Sequence, residues 1–303
     1  EGWYASFNDV FDDIMLAFAG MPPKVRDFAA EFDKAQKLLF TDCRMGVSKV
    51  LILARKGFFH AQLYAAELFY EGGYIGQNYH TAWKYLEQSM ANGSEESFAL
   101  AALMHARGCG RKKNRDVARE MLAAALKSKK AGNLQYMGLI FALGDIVPQD
   151  KETAETFLLS AVEKGFLQAG VIFFLLCDQG ILDQPKNDPF DLLHSMVEYG
   201  YPPAEYMMSR YLLRLVLNDT SLNDELYKTA LERASVCLGR CLQKSYYGAR
   251  ELCAIREPLT RADGVQFTIQ ECLERYYGQK VGITLEELTH SHENCSMELH
   301  DNP

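Results

Sequence analysis

Two short stretches hold the residue types that do chemistry. "THSHENCSMELH", residues 289–300, places His290, His292, Cys295 and His300 close together. Imidazole and thiolate are ordinary ligands of zinc and copper, yet these spacings match none of the common finger patterns. A stretch so near the chain's end also reads as an exposed polar tail. "GCGRKKNRDVA", residues 108–118, pairs two glycines with Arg111, Lys112 and Lys113, a composition suited to a phosphate. A Walker loop needs G-x-x-x-x-G-K-[ST], so that backbone N–H groups, a lysine and a hydroxyl surround the phosphates and metal. No Ser or Thr follows the two lysines, and Gly108 and Gly110 stand too close together, so a joint between helices is the better reading.

The cysteines are Cys43, Cys109, Cys177, Cys237, Cys241, Cys253, Cys272 and Cys295, crowded toward the C-terminus. Cys237 and Cys241 lie one helical turn apart, where Cβ vectors run nearly parallel and suit a disulfide poorly. Two readings stand: free buried thiols in a reducing cytoplasm, or disulfides between neighbouring terminal hairpins in a periplasmic or secreted protein. His60, His80, His105 and His194 are scattered, and no sequence neighbourhood joins a nucleophile, a base and an orienting acid. Neither catalysis nor a cofactor is expected.

Bulk properties narrow the partners. A chain of 303 residues, 48% of them hydrophobic, suffices for one large or two ordinary domains with a real core. Its net charge of −8, from 40 acidic against 32 basic residues, opposes binding to nucleic acid, whose affinity rests on neutralised phosphates. The longest apolar stretch, "AGVIFFLLC" (169–177), is well short of the roughly 20 residues a membrane helix requires. The opening "EGWYASF" has neither a methionine nor a basic and apolar leader, so an upstream piece is expected to have been removed. The compartment stays open, with cytoplasm slightly ahead of periplasm.

Periodicity supplies the elements that position these residues. Shifting "GCGRKKNRDVA" in steps of 36 lands on "GGYIGQNYHTA" (72–82), "GDIVPQDKETA" (144–154) and "GILDQPKNDPF" (180–190). Each begins with glycine (72, 108, 144, 180) and reaches Ala82, Ala118, Ala154 or Phe190 ten positions later. Upstream of each joint stand Ala61, Ser97, Asn133 and Ala169, with inner pairs Ala65/Ala66, Ala101/Ala102, Met137/Gly138 and Phe173/Phe174. Downstream come Leu86, Leu122, Leu158 and His194, then a closing Gly93, Gly165 or Gly200, with Lys129 in the second copy. Each unit therefore reads as two helices, a small pair permitting close approach and glycine ending each helix. Asn78, Asn114 and Asp150 are expected N-caps. Such a hairpin cannot bury its apolar face alone, so neighbours must stack. Weaker copies begin near Val25, with Ala29 and Ala30, near Ala204, with Met208 and Ser209, and near Ala249, with Cys253 and Ala254. The expected plan is an amphipathic capping helix in 1–23, a repeat array over 24–278 with its best copies in 58–200, and a tail or cap in 279–303.

"AQLYAAELFYEGGYIGQNYHTAWKYLEQSMANG" (61–93) and "NLQYMGLIFALGDIVPQDKETAETFLLSAVEKG" (133–165) approximate the pattern A-x-x-x-L-G-x-x-Y-x-x-G with similar small, apolar or aromatic residues at most of its positions and glycine at its end, then a short loop, a second helix and a closing glycine. In this the chain resembles the Sel1-like repeat (SLR) family, relatives of tetratricopeptide repeats. Phe173/Phe174 depart from the family's small pair, and the fifth copy lacks the joint glycine. Some family members pair cysteines across every hairpin at one spacing, which this chain does not do. The resemblance implies an all-α, right-handed superhelical α/α solenoid of six to seven hairpins that binds proteins in adaptor, degradation-complex or secretion-related roles. It implies no reaction.

By the same analogy, first-helix residues beside the small pair face a concave groove. One lane is Glu67, Leu103, Leu139, Leu175 and Arg210; its neighbour is Leu63, Ala99, Gln135, Val171 and Tyr206. With Glu67 and Glu71 at one end and Arg107, Arg210 and Arg214 elsewhere, such a groove suits an amphipathic helix or an extended peptide. The alternative is that these aliphatic residues pack between adjacent first helices. The expected function is a protein- or peptide-binding scaffold or adaptor, in its sharper form a bacterial immunity or secretion-accessory protein. A metal- or redox-handling role for the cysteine-rich C-terminal region is the rival.

Overall fold

The computed structural model describes residues 23–284, 286 and 287. The expected capping helix before Pro23 and the candidate ligands His290, His292, Cys295 and His300 lie outside the described residues. The chain divides into two compact units, Glu1–Ala204 and Glu205–Pro303.

In the first unit the helices pair into hairpins. They are α1 (Pro23–Leu38) with α2 (Cys43–Arg55), α3 (Phe59–Glu71) with α4 (Tyr79–Ala91), α5 (Phe98–Arg107) with α6 (Arg115–Ser128), α7 (Leu134–Leu143) with α8 (Lys151–Glu163), and α9 (Gln168–Asp178) with α10 (Pro189–Glu198). First helices stack on one another, α5 on α7 and α7 on α9. The joints repeat one bonding scheme. Asn78, Asn114 and Asp150 accept hydrogen bonds of 2.9–3.1 Å from first-turn amides of the second helix. Their own amides donate back to the Phe69, His105 and Phe141 carbonyls of the first helix. One residue thus fastens both helices, and each cap contributes about 1 kcal/mol.

The "GCGRKKN" stretch is such a joint. Gly108 closes α5 with a left-handed φ of 76°. The second glycine serves another purpose: a Cβ on Gly110 would stand 2.1 Å from the Tyr79 carbonyl oxygen, so only hydrogen fits where α4 begins. Arg111 lies 3.9 Å above the Trp83 ring, a cation–π contact that holds the loop to the neighbouring hairpin. Lys129, which stands in place of the closing glycine in the second copy, adopts the left-handed φ of 55° that glycine would have taken.

The repeat positions form the core. Ala65, Ala66, Ala101, Ala102, Ala82, Ala118 and Ala154 are fully buried, as are Leu86 and Leu158, with Leu122 nearly so. Burial of each leucine contributes roughly 1.5–3 kcal/mol. Gly138 lets α7 press onto α8, since a Cβ there would meet Leu158 Cγ at 2.6 Å. At the position held by Ala61 in another copy, Asn133 is buried and fully used. Its Oδ1 accepts from Ala99 N, and its Nδ2 donates to Glu95 O and Ser128 Oγ.

The second unit takes in most of α11 (Pro202–Asn218), then α12 (Asp224–Gln243), α13 (Tyr247–Cys253) and α14 (Ile269–Leu273). The copy expected from Ala249 to Gly278 differs from a plain hairpin. After α13, β1 (Leu259–Thr260) and β2 (Gln266–Phe267) form an antiparallel ribbon, pairing Leu259 with Phe267 and Thr260 with Gln266. Pro258 has no amide to continue a helix. The Asp263-Gly264 pair, with φ of 89° at the glycine, makes the turn.

Candidate functional site

Tyr64, Glu67, Leu68 and Glu71 recur at helical spacing and so share one side of α3. That side, with Tyr74 just beyond it, forms one wall of a cavity of about 130 Å³. Gln135 of α7, Gln36 and Phe40 at the end of α1, the α8–α9 joint at Lys164–Gln168, and Tyr199 and Tyr201 after α10 complete the lining. The joint between the first two helices thus meets the far end of the fifth hairpin: the Phe40 ring stands edge-on to Tyr199 at 5.5 Å and lies 5.7 Å from Tyr201. Tyr201 is anchored in turn, its hydroxyl donating to Gln168 Oε1 at 3.2 Å.

Two carboxylates stand in this wall. Glu67, only 7% exposed, accepts a 3.0 Å hydrogen bond from Gln135 Nε2. Glu71 accepts a 2.9 Å bond from the Tyr136 hydroxyl. Among the described residues no cation pairs with either. Buried carboxylates elsewhere are compensated differently. Glu205 is 2.7 Å from Lys244 Nζ, and Glu155 receives the Lys186 and Asn187 amides.

The electrostatic consequence follows from desolvation. Burial pushes Glu67 well above the usual carboxylate range, the Glu71 and Glu96 charges add to this, and the Gln135 hydrogen bond opposes it. Burial likewise raises Glu71 to about 7 against the pull of Tyr136. Glu71 keeps some surface, but that surface faces the cavity with protein around it, so desolvation dominates. The Tyr64 hydroxyl is raised by burial first and by the Glu67 and Glu71 charges second. One further polar atom is unsatisfied: Gln135, 3% exposed, sends its Nε2 to Glu67, and its Oε1 has no donor.

The cavity therefore presents acceptors and aromatic rings. Its lining residues include no thiol and no imidazole, and Lys164, exposed, is the only cation among them.

Of the residues expected in the groove, the structure brings Glu67 and Gln135 together at this cavity, with Glu71 beside them. Leu103 is fully buried, and Leu63 and Val171 nearly so, packed within the helical layers where no partner reaches. These three take the packing alternative because the first helices stack closely over the small pairs. Leu139 and Leu175 are half-buried, and Arg107 is exposed and bonded through Nε to Asp145 at 3.0 Å. Tyr206 and Arg210 belong to the second unit, the guanidinium 5.7 Å from the ring. The repeat pattern does not single out Phe40, Tyr64, Tyr74, Tyr199 or Tyr201 as site residues. A signal for some of these joints was present: a closing glycine is followed at once by an aromatic residue in Gly57-Phe58, Gly165-Phe166 and Gly200-Tyr201.

Among the described residues no two cysteines are joined by a disulfide. Burial pushes the Cys272 thiol up to about 12 and raises Cys253, which leaves both protonated and poorly nucleophilic. Among the described residues no group of three or more His, Cys, Asp or Glu side chains is placed to hold a metal ion. No described helix is long and apolar enough to cross a membrane.

No family model matches the chain, and no curated protein matches it. Among solved structures, a Sel1 repeat protein from Oxalobacter formigenes matches with 17% identity and a TM-score of 0.37, over 76% of this chain and 95% of that one. A protective antigen of uropathogenic Escherichia coli with an SLR fold matches with 15% identity and a TM-score of 0.35, over 79% of this chain. The match spans only 56% of that antigen's length. The chain is similar to Sel1-like repeat proteins. The assignment of an all-α repeat array rests on its own hairpins, with their 36-residue joints, caps and buried small pairs.

Proposed function

We propose that the protein is a non-enzymatic scaffold or adaptor whose first unit binds a segment of a protein partner at the cavity between α3, α7 and the joints. The observation that supports this most directly is the cavity itself. Side chains from the first, second, fourth and fifth hairpins converge on one space, and carboxylates there are left without charged partners. Stacked hairpins present a large inner surface, and binding energy on such surfaces concentrates in a few buried anchors. The acidic balance of the chain favours a basic partner. In its sharper form the reading is an immunity or secretion-accessory protein that sequesters a secreted protein.

The test is affinity capture from lysate with the wild type and a Tyr199→Ala/Phe166→Ala variant of unchanged helicity and melting. Both residues line the cavity without being fully buried. A partner retained by the wild type and lost by the variant is expected. Identical capture by both proteins would move the binding surface elsewhere.

A further inference from the structure

We propose that the cavity receives the guanidinium of an arginine side chain from the partner, seated between the Glu67 and Glu71 carboxylates and the surrounding tyrosine rings. The proposal deepens the scaffold reading above and rests on it for the source of the arginine.

Three independent features point to a cationic, donor-rich group. Glu67 and Glu71 lie one helical turn apart on one side of α3, and the hydrogen bonds they accept come from an amide and a phenol, both neutral. Carboxylates in such a position cost stability when ionised unless a cation is supplied. Gln135 adds a second kind of acceptor, an amide oxygen with no donor in a side chain almost wholly buried. Tyr64, Tyr74, Tyr199, Tyr201 and Phe40 provide aromatic faces around the same space, the surroundings that favour a desolvated cation.

Size and hydrogen bonding then separate arginine from its rivals. A space of about 130 Å³ is close to the roughly 150 Å³ of an engineered cavity that takes benzene, so a planar guanidinium with its nearest methylenes fits. Guanidinium carries five N–H donors in one plane, is weakly hydrated and stacks on rings, whereas an ammonium is a compact and strongly hydrated charge. Acceptors contributed by two carboxylates and an amide call for the former. Lys164 is the one cation in the lining and is exposed, so it leaves the carboxylates to an incoming group.

The site also couples binding to protons. Glu67, Glu71, Tyr64, Tyr74, Tyr199 and Tyr201 line the space together with Lys164, while Glu96 acts on Glu67 and Tyr136 on Glu71. Of these, Glu71 changes charge near neutrality, held at about 7 by burial. An arginine needs the ionised form, so its affinity is expected to rise from pH 6 to pH 8.

The experiment is calorimetric titration of the full chain with acetyl-Gly-Arg-Gly-amide, its citrulline and lysine counterparts, and free L-arginine, at pH 6 and pH 8. The arginine peptide should saturate, and tighten at pH 8. The neutral citrulline peptide should bind at least about ten-fold more weakly, the loss expected for charge-assisted hydrogen bonds. The lysine peptide and free L-arginine should also bind more weakly than the arginine peptide. Glu67→Gln/Glu71→Gln should lose the arginine peptide while melting at or above the wild-type temperature. Should the double variant fail to fold, Glu71→Gln alone, which keeps an acceptor for Tyr136, should weaken the peptide about ten-fold.

Citrulline or lysine binding as tightly as arginine, free L-arginine binding more tightly than the peptide, or no saturation at millimolar peptide would each overturn the proposal. Capture lost in Tyr199→Ala/Phe166→Ala but kept in Glu67→Gln/Glu71→Gln would refute the arginine while leaving the scaffold reading intact. Capture unchanged in both variants would refute the cavity as the binding site, and the arginine with it.

Discussion

Replacing Glu71 by glutamine should stabilise the first unit, and only above acidic pH. In the fold its pKa is raised from 4.5 to about 7, so between those values the folded chain binds more protons than the unfolded one. Stability from this group is complete below about pH 4.5 and is lost as pH rises through 7. The shift of about 2.5 units corresponds to about 3 kcal/mol at 1.36 kcal/mol per unit. Glutamine keeps an oxygen for the Tyr136 hydroxyl and has no charge to desolvate. At pH 8 the variant's first unit should therefore be more stable by about 3 kcal/mol, an increase in Tm of roughly 6–12 °C for a unit of this size. At pH 4 the two proteins should melt together. Thermal melts followed by circular dichroism at half-unit steps from pH 4 to pH 8.5 give the difference directly, and titrations not coupled to Glu71 cancel in the subtraction. A difference that does not vary with pH, or a variant that melts lower at pH 8, would refute the argument that burial of this carboxylate dominates its energetics.

Three further substitutions test the packing. Gly108→Ala and Gly110→Ala both place a Cβ on a left-handed residue, but the second also drives it into the Tyr79 carbonyl at 2.1 Å. Urea titration should show about 1–2 kcal/mol lost for the first and additional loss of about 1–3 kcal/mol for the second; equal losses would contradict the close approach. Leu103→Asp buries a charge at a position with no exposure and should cost more than about 4 kcal/mol, visible as collapse of the thermal transition. A folded Leu103→Asp protein would return Leu103 to the groove.

The repeat was legible because its residues are fixed by local rules. A closing glycine or an N-cap asparagine answers to backbone geometry a few residues away, and so Gly72, Gly108, Gly144, Asn78, Asn114 and Asp150 could be placed from spacing. Lys129 shows the strength of that rule, for the backbone keeps its left-handed turn where the glycine is missing. The β1–β2 ribbon is hidden by a repeat pattern that continues past Pro258, although Asp263-Gly264 marks a tight turn. The cavity was legible only in part. Glu67, Glu71 and Gln135 stand on first helices at repeat positions successive helical turns apart, but Phe40, Tyr199 and Tyr201 sit in joints of hairpins far apart in sequence. Which joints meet depends on the cumulative rotation from hairpin to hairpin, which no single repeat encodes. Leu63, Leu103 and Val171 illustrate the converse difficulty, because groove and packing residues share the same helical spacing.

The central claim, that partners enter the inner cavity of the first unit, is tested most directly by photo-crosslinking. A benzophenone amino acid replaces Tyr199 in one protein and Leu126, exposed on α6, in another. The account predicts that a captured partner crosslinks from position 199, that free arginine peptide in excess suppresses this, and that position 126 gives no product. Crosslinking from position 126 with none from position 199 would contradict it.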